Sequence, residues 1–219
     1  MLASRGISRW IRLYGQSVSM DTEEGSGHMG KRYPIEVLTR DEIEALLEAC
    51  GQEKWTDRRN YALLVLLWRT GLRIAEALAL RPCDVDLERG AIRVLRSKGG
   101  RARTVGIDRI GLGTIQGWMQ ERRGMGYSSG EVLFITRSGL PLSQGYLRRK
   151  IPELARAARI HKRVHAHGLR HTHASELRAE GVDIAVIKRQ LGHRSLLTTI
   201  EYLDHLEPAL ALISIHQRA

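Results

Sequence analysis

The sequence predicts a mainly α fold with one small antiparallel β-sheet, an α+β class, from three observations. Apolar residues recur at helical spacing from about residue 40 nearly to the end. One stretch, 91–107, shows β-branched residues on either side of Ser97-Lys98-Gly99-Gly100, the pattern of a hairpin with a glycine-rich turn. The longest apolar run, Tyr61 to Trp68, is far short of the roughly 20 residues that cross a membrane.

In chain order, residues 1–33 have no sustained apolar period and contain the Gly/Ser-rich stretch EEGSGHMG, so they are expected to form an irregular arm, a linker or in part a cloning remnant. Residues 34–219 are expected to form one domain, with no separate folded domain before it. Thr39 followed by Glu42 has the form of a capping box, and Ile43, Leu46, Leu47 and Cys50 then share one face, which predicts a helix over about 40–50. The segment 57–70 is apolar nearly all round and stops at Gly71, as a buried central helix with a glycine cap does. A short helix over about 73–80 follows. Beyond the hairpin come a helix at about 109–122, a short strand at 132–136, and helices at about 143–159, 168–180, 183–191, 195–203 and 207–216.

Lys and Arg number 35 against 24 Asp and Glu, a formal net charge of +11. Such a surplus points to an anionic partner. It is local: residues 91–107 carry five Lys/Arg and no acid, and residues 142–175 carry eight against one. Aromatic residues make up 5%, too few for a stacking platform for single strands, so contacts to nucleic acid should fall mainly on phosphates. Two cysteines, Cys50 and Cys83, can build neither a disulfide framework nor a zinc spacing, and a reducing cytoplasm is the expected compartment. Five histidines (161, 165, 167, 171 and 173) crowd into one basic stretch. An i,i+4 pair such as His167 and His171 can hold a metal, but the flanking cations repel one and suit a phosphate better.

Four stretches together resemble the tyrosine recombinases, or phage integrases, over about 36–205. TGLRIAEALAL is similar to that family's first box, which puts its arginine at Arg73 with a supporting acid at Glu76. SKGGRARTVGI resembles the hairpin that carries the family's lysine, here Lys98. HGLRH is similar to the second box, with His167 and Arg170, and LGHRSLLTTIEYLDH to the third, with His193 and the nucleophile Tyr202. The six positions are filled in the family's order. One departure is Gly106, where the family often has proline.

The resemblance implies that Tyr202 attacks a DNA phosphate, giving a 3′-phosphotyrosyl link and a free 5′-hydroxyl. The step is reversed by a 5′-hydroxyl from a partner duplex. Two guanidiniums, Arg73 and Arg170, match the charge that builds on the non-bridging oxygens. Tyrosine has a reference pKa near 10, so ionising Tyr202 at pH 7 costs about 4 kcal/mol, and a cationic pocket is expected to supply much of this. His167 is the expected proton acceptor, His193 a donor to a phosphate oxygen, and Lys98 the acid that protonates the leaving 5′-oxygen. No metal and no cofactor is implied, because the phosphotyrosine conserves the bond energy. The implied partners are double-stranded DNA, three further copies of the chain in a homo-tetramer on two duplexes, and accessory DNA-binding proteins. The terminal segment PALALISIHQ is apolar enough to dock on a neighbouring subunit or to pack on its own domain. Competing readings are a topoisomerase IB-like or hairpin-resolving strand transferase, a DNA-binding module without recombination activity, and a histidine-metal nuclease.

Overall fold

The computed structural model describes residues 37–95 and 102–206. The expectations placed on residues 1–33, on Lys98 and on a helix at 207–216 lie outside the described residues.

Helix α1 (Arg40–Glu48) starts at the capping box: the Thr39 hydroxyl accepts from the Glu42 N–H at 3.2 Å, and the Glu42 carboxylate accepts from the Thr39 N–H at 2.8 Å. Ile43, Leu46 and Leu47 are buried on its inner face. Helix α2 (Trp55–Thr70) is the central helix, with Ala62 through Trp68 all buried. It ends at Gly71, whose φ of +62° is the left-handed conformation that glycine adopts without a Cβ penalty. A side chain at 71 is excluded twice over, since a Cβ would stand 2.7 Å from the His173 ring. Helix α3 (Ile74–Ala79) follows at once.

The sheet has three antiparallel strands in the order β1 (Val85–Asp86), β2 (Ala91–Val94) and β3 (Arg103–Gly106). The β2–β3 register pairs Ala91 with Gly106 and Val94 with Arg103. This is the expected hairpin, and β1 is an addition. Two residues are too short to show a period of two, so β1 is visible only through its pairing of Val85 with Ile92 and Asp86 with Ala91.

Helices α4 (Arg109–Gly124), α5 (Gln144–Ala157), α6 (Ala166–Ala179), α7 (Ile184–Leu191) and α8 (Leu196–Leu206) complete the described domain. The strand expected at 132–136 is corrected to an irregular segment with one isolated bridge, Ile135 to Pro141. Leu133, Phe134 and Ile135 are fully buried there, which produced the strand-like pattern. Their carbonyls, however, are taken largely by other groups. The Trp118 indole donates to the Leu133 oxygen at 2.9 Å and the Arg59 guanidinium to the Ile135 oxygen at 3.0 Å.

Helix α2 packs on α4 and α6 inside the main core. A second core, formed by Ala174, Ile187, Leu191, Leu203 and Leu206, joins α6, α7 and α8. Full burial of each large side chain there is worth about 1.5–3 kcal/mol. This small core fixes the two helices that carry the C-terminal half of the site, and Tyr202 packs at its edge.

Candidate active site

Five of the six expected positions are described, and they converge where the α2–α3 turn, the start of α6 and the α7–α8 connection meet. Lys98 lies outside the described residues.

Arg170 is almost wholly buried, at 1% exposure. It donates from Nη1 to the Gly71 carbonyl at 2.5 Å and from Nη2 to the Leu191 carbonyl at 2.7 Å. It therefore ties the C-terminal end of α2 to that of α7. Burial, and secondarily the charge of Arg73, lower its pKa to about 10, so it stays a cation at neutral pH.

Arg73 caps the start of α3 and keeps its side chain 32% exposed. Glu76, one turn on, accepts from the Arg73 backbone N–H at 2.9 Å and from Nη1 at 3.1 Å. A third arginine shares that carboxylate: Arg103 of β3 donates to both Glu76 oxygens, at 2.8 and 2.9 Å. Desolvation raises the Glu76 pKa, but the hydrogen bonds and charges of Arg103 and Arg73 win, and the net shift is downward. In the sequence Arg103 stands out only as one of the hairpin's basic residues. Nothing local to it signals a pairing with a carboxylate 27 positions away.

His193 follows Gly192, the left-handed cap of α7. Its Nε2 lies 3.1 Å from Arg170 Nη2, and its Nδ1 lies 3.1 Å from the Thr199 hydroxyl. An arginine only donates, so Nε2 accepts and the ring proton sits on Nδ1. The Thr199 hydroxyl passes the chain on to the Ser195 carbonyl at 3.3 Å. Desolvation, followed by Arg170 and Arg73, lowers the His193 pKa to about 4. The ring is neutral at pH 7, and Nε2 donates to a phosphate oxygen only when protonated.

Tyr202 stands edge-to-face with His193, ring centres 5.1 Å apart, and stacks on His171 at the same separation with a 26° tilt. His171 in turn meets His167 edge-on at 4.4 Å. His167 keeps an exposed edge; desolvation by its surroundings, then Arg170, lower its pKa and leave it a neutral base. The Tyr202 hydroxyl is sealed from solvent and makes no hydrogen bond of good geometry among the described residues. Burial raises its pKa to about 12, against the opposing pull of Arg170 and Arg73. The expectation that the cationic pocket offsets the cost of tyrosinate is therefore corrected for this arrangement. Five pH units above neutrality correspond to about 7 kcal/mol.

Among the described residues no group of three His, Cys, Asp or Glu side chains is placed to hold a metal ion. Of the crowded histidines, His171 and His173 are buried, and His165 caps α6 by accepting from the Gly168 N–H at 2.7 Å. No described helix is long and apolar enough to cross a membrane.

The sequence profile of the Phage integrase family matches residues 36–208. The tyrosine recombinase XerC of Pseudomonas putida is 31% identical over 219 residues, covering 99% of this chain and 72% of that protein. Among solved structures, that of the XerA recombinase superposes with a TM-score of 0.74 at 30% identity, over 86% of this chain and 67% of that one. The XerH site-specific recombinase bound to palindromic difH substrate, a post-cleavage complex, matches with a TM-score of 0.68 at 28% identity. It covers 81% of this chain and 51% of that one. The chain thus spans between about half and three quarters of these proteins' lengths.

Proposed function

Because this chain belongs to the phage integrase family, we propose that it is a site-specific DNA recombinase that cuts and rejoins strands through Tyr202. The observation that carries this reading is the convergence of Arg73, Arg170, His193 and Tyr202, from three separate chain segments, on one cationic pocket. The structurally similar XerH site-specific recombinase is described bound to palindromic difH substrate, and double-stranded DNA is the partner we assign here.

The Tyr202 oxygen attacks the phosphorus, its proton passing to a neutral base, and the bond from phosphorus to the 5′-oxygen breaks. The enzyme is left joined to the 3′-phosphate. Arg73 and Arg170 hold the non-bridging oxygens as negative charge builds on them. His167 is our candidate for the base, being neutral at pH 7. The His171 ring touches both His167 and Tyr202, and the Tyr202 hydroxyl is sealed, so attack requires that Tyr202 swing out of its stacked position. Lys98 is assigned the proton for the departing 5′-oxygen. A phosphate oxygen entering beside His193 favours protonation of Nε2 and turns it into a donor. The same reading takes in a tetramer on two duplexes, accessory DNA-binding proteins and a cytoplasmic setting, and treats 34–219 as the catalytic domain.

The test is incubation with a nicked suicide duplex, from which the short fragment carrying the new 5′-hydroxyl diffuses away. A covalent protein–DNA adduct that vanishes in Tyr202→Phe supports the reading, and no adduct on any duplex carrying the cognate site would overturn it.

A further inference from the structure

We propose that Arg103 is a positioning residue of this site: by saturating the Glu76 carboxylate it leaves the Arg73 guanidinium free to meet the phosphate. The proposal rests on the strand-transfer reading above.

Glu76 is 3% exposed, and a buried carboxylate next to a phosphate-binding arginine is a liability. Unopposed, it would grip the Arg73 fork with both oxygens and cancel its charge. The geometry shows that this does not happen. Both Glu76 oxygens are held by the two terminal nitrogens of Arg103, at 2.8 and 2.9 Å, the fork-to-fork arrangement that suits arginine and not lysine. Arg73 is left with one side-chain bond to Glu76, at 3.1 Å, and a side chain about a third exposed.

Arg103 is not itself placed to bind phosphate. Both its terminal nitrogens are held by the Glu76 carboxylate, which answers its charge, whereas Arg170 bonds only neutral carbonyls and His193 and keeps its charge for an anion; the Arg103 Nε is sealed. The guanidinium lies directly against Gly192, where a Cβ would stand 2.7 Å from Nε and 2.9 Å from Cζ. One side chain thus joins the hairpin strand β3, the Arg73 cap of α3 and the residue before His193. Charge follows the same logic. Arg73, Arg103 and Arg170 with Glu76 carry a net charge of +2, which falls to +1 without Arg103 and returns to +2 if Glu76 is also neutralised.

The experiment compares single-turnover cleavage of the suicide duplex at saturating DNA, DNA affinity and thermal melting for wild type, Arg103→Ala, Arg103→Lys and Arg103→Ala with Glu76→Gln. Arg103→Ala should slow cleavage on the order of 30-fold, a loss of the size seen for displaced transition-state donors, while Kd stays within about threefold. Adding Glu76→Gln should recover about tenfold of that loss, because the residue that captures Arg73 is then uncharged. A merely structural role predicts the reverse, since the double variant would lose both partners and cleave no better than the single one. Arg103→Lys keeps the charge without the fork and should cleave about tenfold slower at an unchanged Tm; it carries the test if the alanine variant fails to fold. Cleavage by Arg103→Ala or Arg103→Lys within about threefold of wild type, or no recovery in the double variant, would overturn the assignment alone. Absence of any wild-type adduct would remove the strand-transfer reading and this assignment with it.

Discussion

Lowering the pH from 7.5 to 5.0 should weaken the fold, with the two buried histidines, His171 and His173, making the best-defined contribution. Both are 6% exposed, and each has a ring nitrogen without a hydrogen-bond partner among the described residues, Nδ1 of His171 and Nε2 of His173. Desolvation comes first in lowering both values; His167, His165 and Arg170 add to it at His171, and Arg170 and Arg69 at His173, where Asp108 opposes. The pKa falls from 6.5 to about 3 for His171 and to about 4 for His173. A depressed histidine pKa contributes stability that is present above the unfolded value and lost as the pH falls towards the folded one. Between pH 7.5 and 5.0 the unfolded chain takes up these two protons and the folded chain does not, which costs about 2 kcal/mol for each group. These two rings account for a loss of about 4 kcal/mol, large beside the roughly 5–15 kcal/mol that holds a typical domain together, and His193 and His167, whose values are lowered by desolvation and by Arg170, add to it. Glu42 and Glu76, with lowered values, matter only below this window, and Glu176, with a raised value, acts weakly in the opposite sense. Urea unfolding at the two pH values measures the difference directly. In His173→Phe it should shrink by about 2 kcal/mol, whatever that ring does to stability at a single pH. A wild-type difference below about 1 kcal/mol would refute the claim that these rings are buried and neutral.

Three further outcomes are expected. Arg170→Ala should abolish cleavage and also lower stability by about 3 kcal/mol, because the Gly71 and Leu191 carbonyls lose a charged donor inside the protein; a thermal melt matching wild type would show that the cross-tie is not needed for the fold. DNA affinity should fall steeply with salt, with a log–log slope that grows with the number of phosphates contacted. A flat profile in a filter-binding or anisotropy titration would speak against a phosphate-dominated interface. Adduct formation should be unchanged by EDTA, and its loss, restored by a divalent metal, would revive the histidine-metal reading.

Much of this fold was legible because its punctuation is local. Thr39 and Glu42 mark a helix start within four residues, and Gly71 marks a helix end through one backbone conformation. The 132–136 segment misled because burial pattern reports the environment of side chains and not where backbone hydrogen bonds go; Trp118 and Arg59 take the carbonyls a neighbouring strand would have used. At the site, the resemblance to the family's boxes pointed to Arg73, His167, Arg170, His193 and Tyr202, but three tertiary effects lay beyond reach. Arg103 meets Glu76 only when the hairpin folds over α3. Arg170 reads as a phosphate clamp in the sequence, and its second task, bonding two backbone carbonyls, exists only once α2 and α7 are side by side. The resemblance implies that cations ease Tyr202 towards ionisation, yet in the folded arrangement desolvation outweighs them.

The central claim is that the Tyr202 oxygen is the nucleophile for strand transfer. Protease digestion of the adduct trapped on a suicide duplex, followed by mass spectrometry of the DNA-linked peptide, tests it most directly. The account predicts a phosphodiester from the Tyr202 side chain to a 3′-phosphate, and a free 5′-hydroxyl on the released strand. A link to any other residue, or a 5′-phosphoryl attachment, would contradict it.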